Sequence, residues 1–286
     1  MHNNTNLKLK SNIEESFTSL DIQYDHQRNL AWYYTQPYPR PCCTPGLIDE
    51  IQQWYGDLTN PENNFNPPQY IVIASKMSDV FNLGGDLKLF AQFIRSQNKT
   101  GLLNYAISCI DTLYLNHTGL GKDITTISLV QGDALGGGFE FAISSNVLIA
   151  ERSAKMGMPE ILFNLFPGMG AYSILSRKVG QPMAEKMILS GNLYSAEQLY
   201  EMGIVDILAD DGKGEQAVHE YIKRENRSKN GHRAFRKAQR LCNPISYDEL
   251  KNIAEVWAEA ALKLEDKDLR MIERLITRQS AKVNPR

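Results

Sequence analysis

ISLVQGDALGGGFEFAIS, Ile127 to Ser144, changes character three times within a few turns of chain. ISLVQG reads as a short buried strand, ALGGG as a turn, and Phe139 to Ser145 as a helix. The same order recurs upstream, where YIVIAS (Tyr70 to Ser75) is followed by NLGGD and the amphipathic run Leu87 to Arg95. Downstream, NVLIAE and KMGM form two more strands before PEILFNLFPGMG. Strands alternating with helices at this spacing imply α/β layering around parallel strands.

Working outward, the first twenty residues form a polar segment, and Ile22–Tyr24 with Leu30–Thr35 reads as a hairpin turned by HQRN. The four prolines between Pro37 and Pro45 exclude regular structure there, and Leu47 to Tyr55 has helical spacing. From about Pro182 the pattern is nearly all helical. Ser195 and Gly203 bracket one helix, and Ser246 with Glu249 has capping-box spacing before a face of Leu250, Ile253, Trp257, Ala261 and Leu264. The organisation expected is a polar segment over 1–20, an α/β core over 21–205 and a helical region over 206–286.

With 286 residues, 42% hydrophobic and 22% charged, the chain can bury a large core. A net charge of −2 argues against wholesale nucleic-acid binding. No apolar run is long enough to span a bilayer, the first dozen residues lack the apolar core of a secretion signal, and the four cysteines suggest no disulfide framework. We expect a reducing, cytoplasmic setting. The five histidines are scattered without a metal-binding pair, so neither a metal nor any other cofactor is expected.

The glycines carry the chemistry. GGG before a helix is often only a tight turn, but nucleotide readings fail on spacing: no third glycine completes G-x-G-x-x-G, and no Gly-Lys-Ser/Thr ends a P-loop. What remains is backbone N–H at a helix start, which suits an anionic oxygen. Two such turns, NLGGD and ALGGG, could each aim one N–H at a single carbonyl oxygen. Two carboxylates, Glu140 and Glu160, follow and suit proton transfer beside that carbonyl, one as base and one as acid. A nucleophilic mechanism has no G-x-S-x-G elbow, and neither Ser144 nor Cys109 has a histidine at a suggestive spacing.

IVIASKMSDVFNLGGDL, ISLVQGDALGGGFEFAIS and MGMPEILFNLFPGMGAYS resemble the signature segments of the crotonase, or enoyl-CoA hydratase, superfamily, in order from about Tyr70 to Asp206. Within it, FNLGGDL, LFNLFPGMGAYS and GNLYSAEQL look most like the RpfF-type synthases of diffusible signal factor, a cis-2-unsaturated fatty acid. The resemblance implies an α/β spiral of ββα units with a C-terminal helical region that serves trimerisation and walls the acyl pocket. It implies Glu140 and Glu160 as catalytic residues and the backbone N–H groups of Leu83 and Gly137 as the oxyanion hole. Around them it places the thioester among Gly84, Gly85, Leu135, Gly136, Met169 and Gly170, and the acyl tail along Trp257 and Leu275. Hydratases usually carry a small residue where Leu83 stands.

The implied reaction is dehydration of a 3-hydroxyacyl chain on acyl carrier protein to the cis-2-enoyl form, followed by thioester hydrolysis. The implied partners are that carrier protein (or acyl-CoA), two further copies in a homotrimer, and a sensor-kinase receiver domain. An ordinary enoyl-CoA hydratase or isomerase of fatty-acid metabolism, and an inactive acyl-binding paralogue, are the alternatives. Between Lys223 and Arg240, eight basic residues face one acid, Glu225. That segment reads either as a dock for an acidic carrier protein or as a solvated helix face.

Overall fold

The computed structural model describes residues 17–62, 66–77 and 79–281. Most of the polar N-terminal segment, residues 1–16, lies outside the described residues. Strands β1 (Leu20–Asp25) and β2 (Leu30–Thr35) form the expected hairpin, and α1 (Pro45–Thr59) follows the proline-rich loop. Thr44 caps α1 by accepting from the Leu47 N–H, and Pro45 suits the first turn because its missing N–H would have no helical partner.

Three units then repeat one plan. Strand β3 (Tyr70–Ser75) leads to the short β4 (Val80–Asn82) and helices α2 (Leu87–Arg95) and α3 (Lys99–Thr118). Next come β5 (Thr125–Val130), β6 (Asp133–Leu135) and α4 (Gly137–Ser144). The third unit is β7 (Val147–Glu151), β8 (Lys155–Gly157), a 3-10 turn over Pro159–Phe163 and α5 (Ala171–Val179). The long strands pair in parallel, and each short strand crosses to a second, smaller sheet. Every residue of β5 and β7 is buried, because helices and the small sheet cover both faces. This is the crotonase-like α/β spiral that the sequence led us to expect.

The remainder comprises α6 (Gln181–Ser190), β9 (Leu193–Ser195), α7 (Ala196–Glu201), β10 (Ile207–Ala209), α8 (Gly214–Glu225), α9 (Lys229–Cys242), α10 (Tyr247–Ala261) and α11 (Asp266–Ala281). Two strands therefore interrupt a stretch that reads as helical. β9 closes the small sheet beside β8, and β10 adds a strand to the large sheet beside β7. Each is three residues long, too short for its alternation to stand out in sequence. The large sheet runs β1-β2-β3-β5-β7-β10 and the small one β4-β6-β8-β9. Helix α8 covers the large sheet's outer face through Val218, Tyr221 and Ile222, whereas α10 and α11 pack near α2 and α3 at the other side.

Candidate active site

Two loops that leave the small sheet meet at its end. β4 delivers Leu83–Asp86 and β6 delivers Gly136 at the start of α4. They touch because Gly84, at φ 92°, has no side chain: a Cβ there would lie 2.8 Å from the Leu135 carbonyl and 3.2 Å from the Gly137 nitrogen. The first loop is tied down on nearly every backbone group. The Gly84 N–H donates to Asn82 Oδ1 (2.8 Å), and the Gly84 carbonyl accepts from the Cys43 N–H (2.8 Å). The Asp86 N–H donates to Tyr105 Oη (2.9 Å), whose O–H donates to the Cys43 carbonyl (2.7 Å). The Asp86 carboxylate caps α2 and pairs with buried Arg40 (2.7 Å).

This bonding corrects one expectation. The Leu83 N–H donates to the Pro41 carbonyl at 2.8 Å, so in this conformation it is not offered to a ligand. The N–H on that loop without a partner among the described residues is that of Gly85, and its nitrogen would lie 3.4 Å from a Cβ at Gly137. The Gly137 N–H, at the first position of α4, is likewise unpartnered among the described residues. The two donors that face one another are therefore Gly85 and Gly137.

Glu140 sits one turn into α4, whose residues are buried almost throughout. Its Oε1 accepts from the Met169 N–H (2.8 Å) and the Ala171 N–H (3.0 Å) where α5 begins. Burial pushes its carboxyl up to about 7, against the lowering effect of those two donors. Glu160 lies in the 3-10 turn after β8, with Oε1 against Gly136, where a Cβ would come within 2.4 Å. The residue is partly exposed, yet its Oε2 is buried and has no partner among the described residues. Burial and then the charge of Glu140 raise it to about 8. Both carboxyls are thus raised toward neutral pH, which favours a shared proton over two charges.

Both carboxyls open on one cavity, walled by Gly85, Tyr105, Gly137, Met169 and Trp257 together with apolar residues such as Phe90. Of the residues expected at the thioester and acyl site, Gly85, Gly137, Glu140, Glu160, Met169 and Trp257 converge there. Leu83, Gly84, Leu135, Gly136, Gly170 and Leu275 are not among its lining residues. Gly84 and Leu135 are spent on the contact between the loops, Gly136 backs Glu160, and Gly170 packs toward Leu250 of α10. Leu275 lies one layer behind, in the cluster formed with Phe90, Phe163 and Leu165. A second, apolar cavity under α1 and α3 shares Gly137 and Met169 with the first.

Sequence reading missed the contribution of α3, which supplies Tyr105 and Ala106 to the wall. The signal was present: Asn98 caps the helix, and Leu102, Ala106, Cys109, Ile110 and Leu113 recur at helical spacing. Gln279 of α11, whose Nε2 donates to the Leu83 carbonyl (3.0 Å), had no such signal.

The arrangement supplies two backbone donors for a carbonyl oxygen and two proton-sharing carboxyls, chemistry suited to forming and discharging an enolate. The enoyl-CoA hydratase/isomerase family matches residues 46–240. The 2,3-dehydroadipyl-CoA hydratase of Escherichia coli (strain K12) is 41% identical over 86 residues, 30% of this chain and 34% of that protein. An enoyl-CoA isomerase/hydratase of Zymoseptoria tritici is 27% identical over 188 residues, 64% of this chain and 58% of that protein. The chain thus spans well under two thirds of the curated relatives it matches. In fold, an enoyl-CoA hydratase/isomerase from Xanthobacter autotrophicus Py2 superposes with a TM-score of 0.73 at 16% identity, covering 95% of this chain and 100% of that one. The family match includes both glycine loops and both glutamates, and the chain belongs to the enoyl-CoA hydratase/isomerase family.

Proposed function

We propose that the chain adds or removes water across C2–C3 of an acyl thioester, with Glu140 and Glu160 exchanging the two protons. The observation that carries this reading is the convergence of the Glu140 and Glu160 carboxyls, both raised by burial, on the cavity that Gly85 and Gly137 also line. In the dehydrating direction the thioester oxygen accepts from those two donors. One carboxylate removes the C2 proton, charge moves onto the held oxygen, and the other carboxyl protonates the departing C3 hydroxyl. Rehydration retraces the path. Each oxyanion donor contributes about 3–4 kcal/mol where charge develops.

The test replaces either carboxyl by its amide. Glu140→Gln and Glu160→Gln should each fold and bind acyl thioester, yet lose single-turnover dehydration by about 100-fold or more. The double variant should be little worse than the poorer single one, because the pair acts as a unit. Near-normal turnover by either folded single variant would refute the two-glutamate mechanism.

A narrower reading is supported by the likeness of FNLGGDL, LFNLFPGMGAYS and GNLYSAEQL to signal synthases, and by the position of Trp257 on the cavity wall. On it, the substrate is a 3-hydroxyacyl chain on acyl carrier protein, and the products are a cis-2-enoyl thioester and then the free acid. Incubation with 3-hydroxydodecanoyl carrier protein, read by mass spectrometry, separates the two. A free cis-2-enoic acid supports signal synthesis, and a trans-2-enoyl thioester alone leaves the hydratase reading and removes the narrower one.

A further inference from the structure

The Gly85 N–H belongs to a peptide between two glycines, where the backbone has its widest choice of conformations. Rotation of that peptide would turn the donor away from the cavity, so whatever clamps the loop decides whether the donor pair exists. Upstream of Gly85 the clamps are Asn82 Oδ1, which accepts from the Gly84 N–H, and the Cys43 N–H, which donates to the Gly84 carbonyl, both at 2.8 Å. Downstream, the Asp86 N–H donates to a side chain, Tyr105 Oη (2.9 Å), and that hydroxyl donates to the Cys43 carbonyl (2.7 Å). Cys43 and Gly85 run side by side as an isolated parallel bridge, and the phenol oxygen is inserted between its two chains. Tyr105 also lines the cavity beside the donor, with Oη 3.5 Å from the place of a Gly85 Cβ. Burial raises the phenol well above its usual pKa, so the hydroxyl keeps the proton that it donates.

We propose that Tyr105 is a positioning residue whose hydroxyl holds the Gly85 N–H on the thioester oxygen. This rests on the function proposed above and adds which side chain sets one of its two oxyanion donors. The hydroxyl accepts from the loop and donates to Cys43 at once, and hydrogen bonds linked in this way strengthen one another. Deleting it leaves the Asp86 N–H and the Cys43 carbonyl without their shared partner. Either those two groups close on each other and draw the loop toward Cys43, or the loop turns to find another partner. Both movements displace the Gly85 N–H, whereas the aromatic ring, with Cε1 3.9 Å from the place of a Gly85 Cβ, still fills the wall. A donor fixed in advance matters most where charge develops on the oxygen, so its displacement lowers kcat far more than it weakens binding.

The experiment removes one oxygen atom with Tyr105→Phe and reads the thioester carbonyl directly. The probe is 4-dimethylaminocinnamoyl-CoA, whose absorption band moves to longer wavelength when its carbonyl oxygen is polarised. The wild type should shift this band on binding. Tyr105→Phe should bind the probe within about threefold of the wild type, lose half or more of the shift, and hydrate 2-butenoyl-CoA with kcat lowered about tenfold or more at little changed KM. A full shift and normal kcat in the folded variant overturn the assignment, and so does a raised KM with kcat retained, which would make Tyr105 only part of the wall. If Tyr105→Phe does not fold, 3,5-difluorotyrosine at position 105 keeps the shape and weakens the hydroxyl as an acceptor; it should reduce the shift, and an unchanged shift overturns the assignment. A wild type that turns over the thioester without shifting the probe also overturns it, while leaving the two-carboxyl reading intact. Turnover of neither the coenzyme A nor the carrier-protein thioester by the wild type would instead defeat the function proposed above, and this assignment with it.

Discussion

Burial and the neighbouring Glu140 carboxyl raise Glu160 to about 8, and its buried Oε2 has no partner among the described residues. A carboxyl whose folded pKa is raised binds more protons in the native state than in the unfolded one. Its favourable contribution is complete below about pH 4.5 and is lost as pH rises through about 8. Glu160→Gln escapes this loss, so the variant should gain on the wild type between pH 6 and pH 9, by on the order of a few kcal/mol. Denaturant unfolding across that range measures it, and parallel stability curves would show that Glu160 is not held neutral. Activity has the complementary dependence. One carboxyl must be charged and the other not, so kcat/KM should peak between the two apparent values of about 7 and about 8. A profile flat from pH 6 to 9 would speak against a shared proton.

Helix α10 fixes the far wall of the cavity. Its buried stripe, Leu250, Ala254, Ala258 and Ala261, is mostly alanine and permits close approach, which leaves Trp257 on the flank to stack on Phe90 with ring centroids 5.2 Å apart. A Cβ at Gly168 would lie 2.4 Å from the Trp257 ring, so the FPGMG loop is fitted to that indole. Trp257→Ala should therefore cost about 2–4 kcal/mol in stability and open the wall. Its substrate preference should shift to longer or bulkier chains, as read by competing acyl thioesters of graded length. An unchanged profile in the folded variant would remove Trp257 from the acyl site. The start of the same helix shows tertiary structure overriding a local motif. Ser246 accepts from the Glu249 N–H (3.0 Å) as expected of a cap, but the Glu249 carboxylate turns away to a paired contact with Arg177 of α5 (2.9 Å).

Across the whole molecule, the basic segment is less available than its composition suggests. On α9, Arg236 and Arg240 turn inward: Arg236 donates to Glu225 (2.9 Å), which is 2% exposed, and Arg240 donates to the Thr118 carbonyl (2.7 Å). The outward face carries Phe235 and Leu241 beside Lys237, which pairs with Asp123 (3.0 Å). Reversing Arg236 would unpair a buried carboxylate, and Arg236→Glu should destabilise the fold by about 3–5 kcal/mol whatever binds outside. Arg224 and Arg227 are exposed, so they, rather than Arg236, suit a charge-reversal test of carrier docking. Should an acidic carrier dock on this segment, Arg224→Glu with Arg227→Glu raises its apparent Kd at low ionic strength, and the difference shrinks with added salt. Equal affinities at low salt would assign the segment to folding alone.

The sequence by itself determined the α/β class and the three strand–turn–helix units and singled out the two carboxyls that meet in the cavity, because those signals are local. Buried parallel strands need continuous apolar runs, and close backbone approach needs glycine at a fixed place in the turn. Tertiary structure decided which N–H groups remain free. Leu83 and Gly85 are equivalent donors in NLGGD, and only the Pro41 carbonyl, folded back from an irregular loop, engages one and leaves the other. It also decided that Tyr105, Trp257 and Gln279 meet at one cavity and its oxyanion loop, since their partners lie far away in sequence. Finally, it decided the protonation of the glutamates. A carboxyl's pKa follows from the water and charge around it, and those are fixed only when α4, the Glu160 turn and the start of α5 close over the pair.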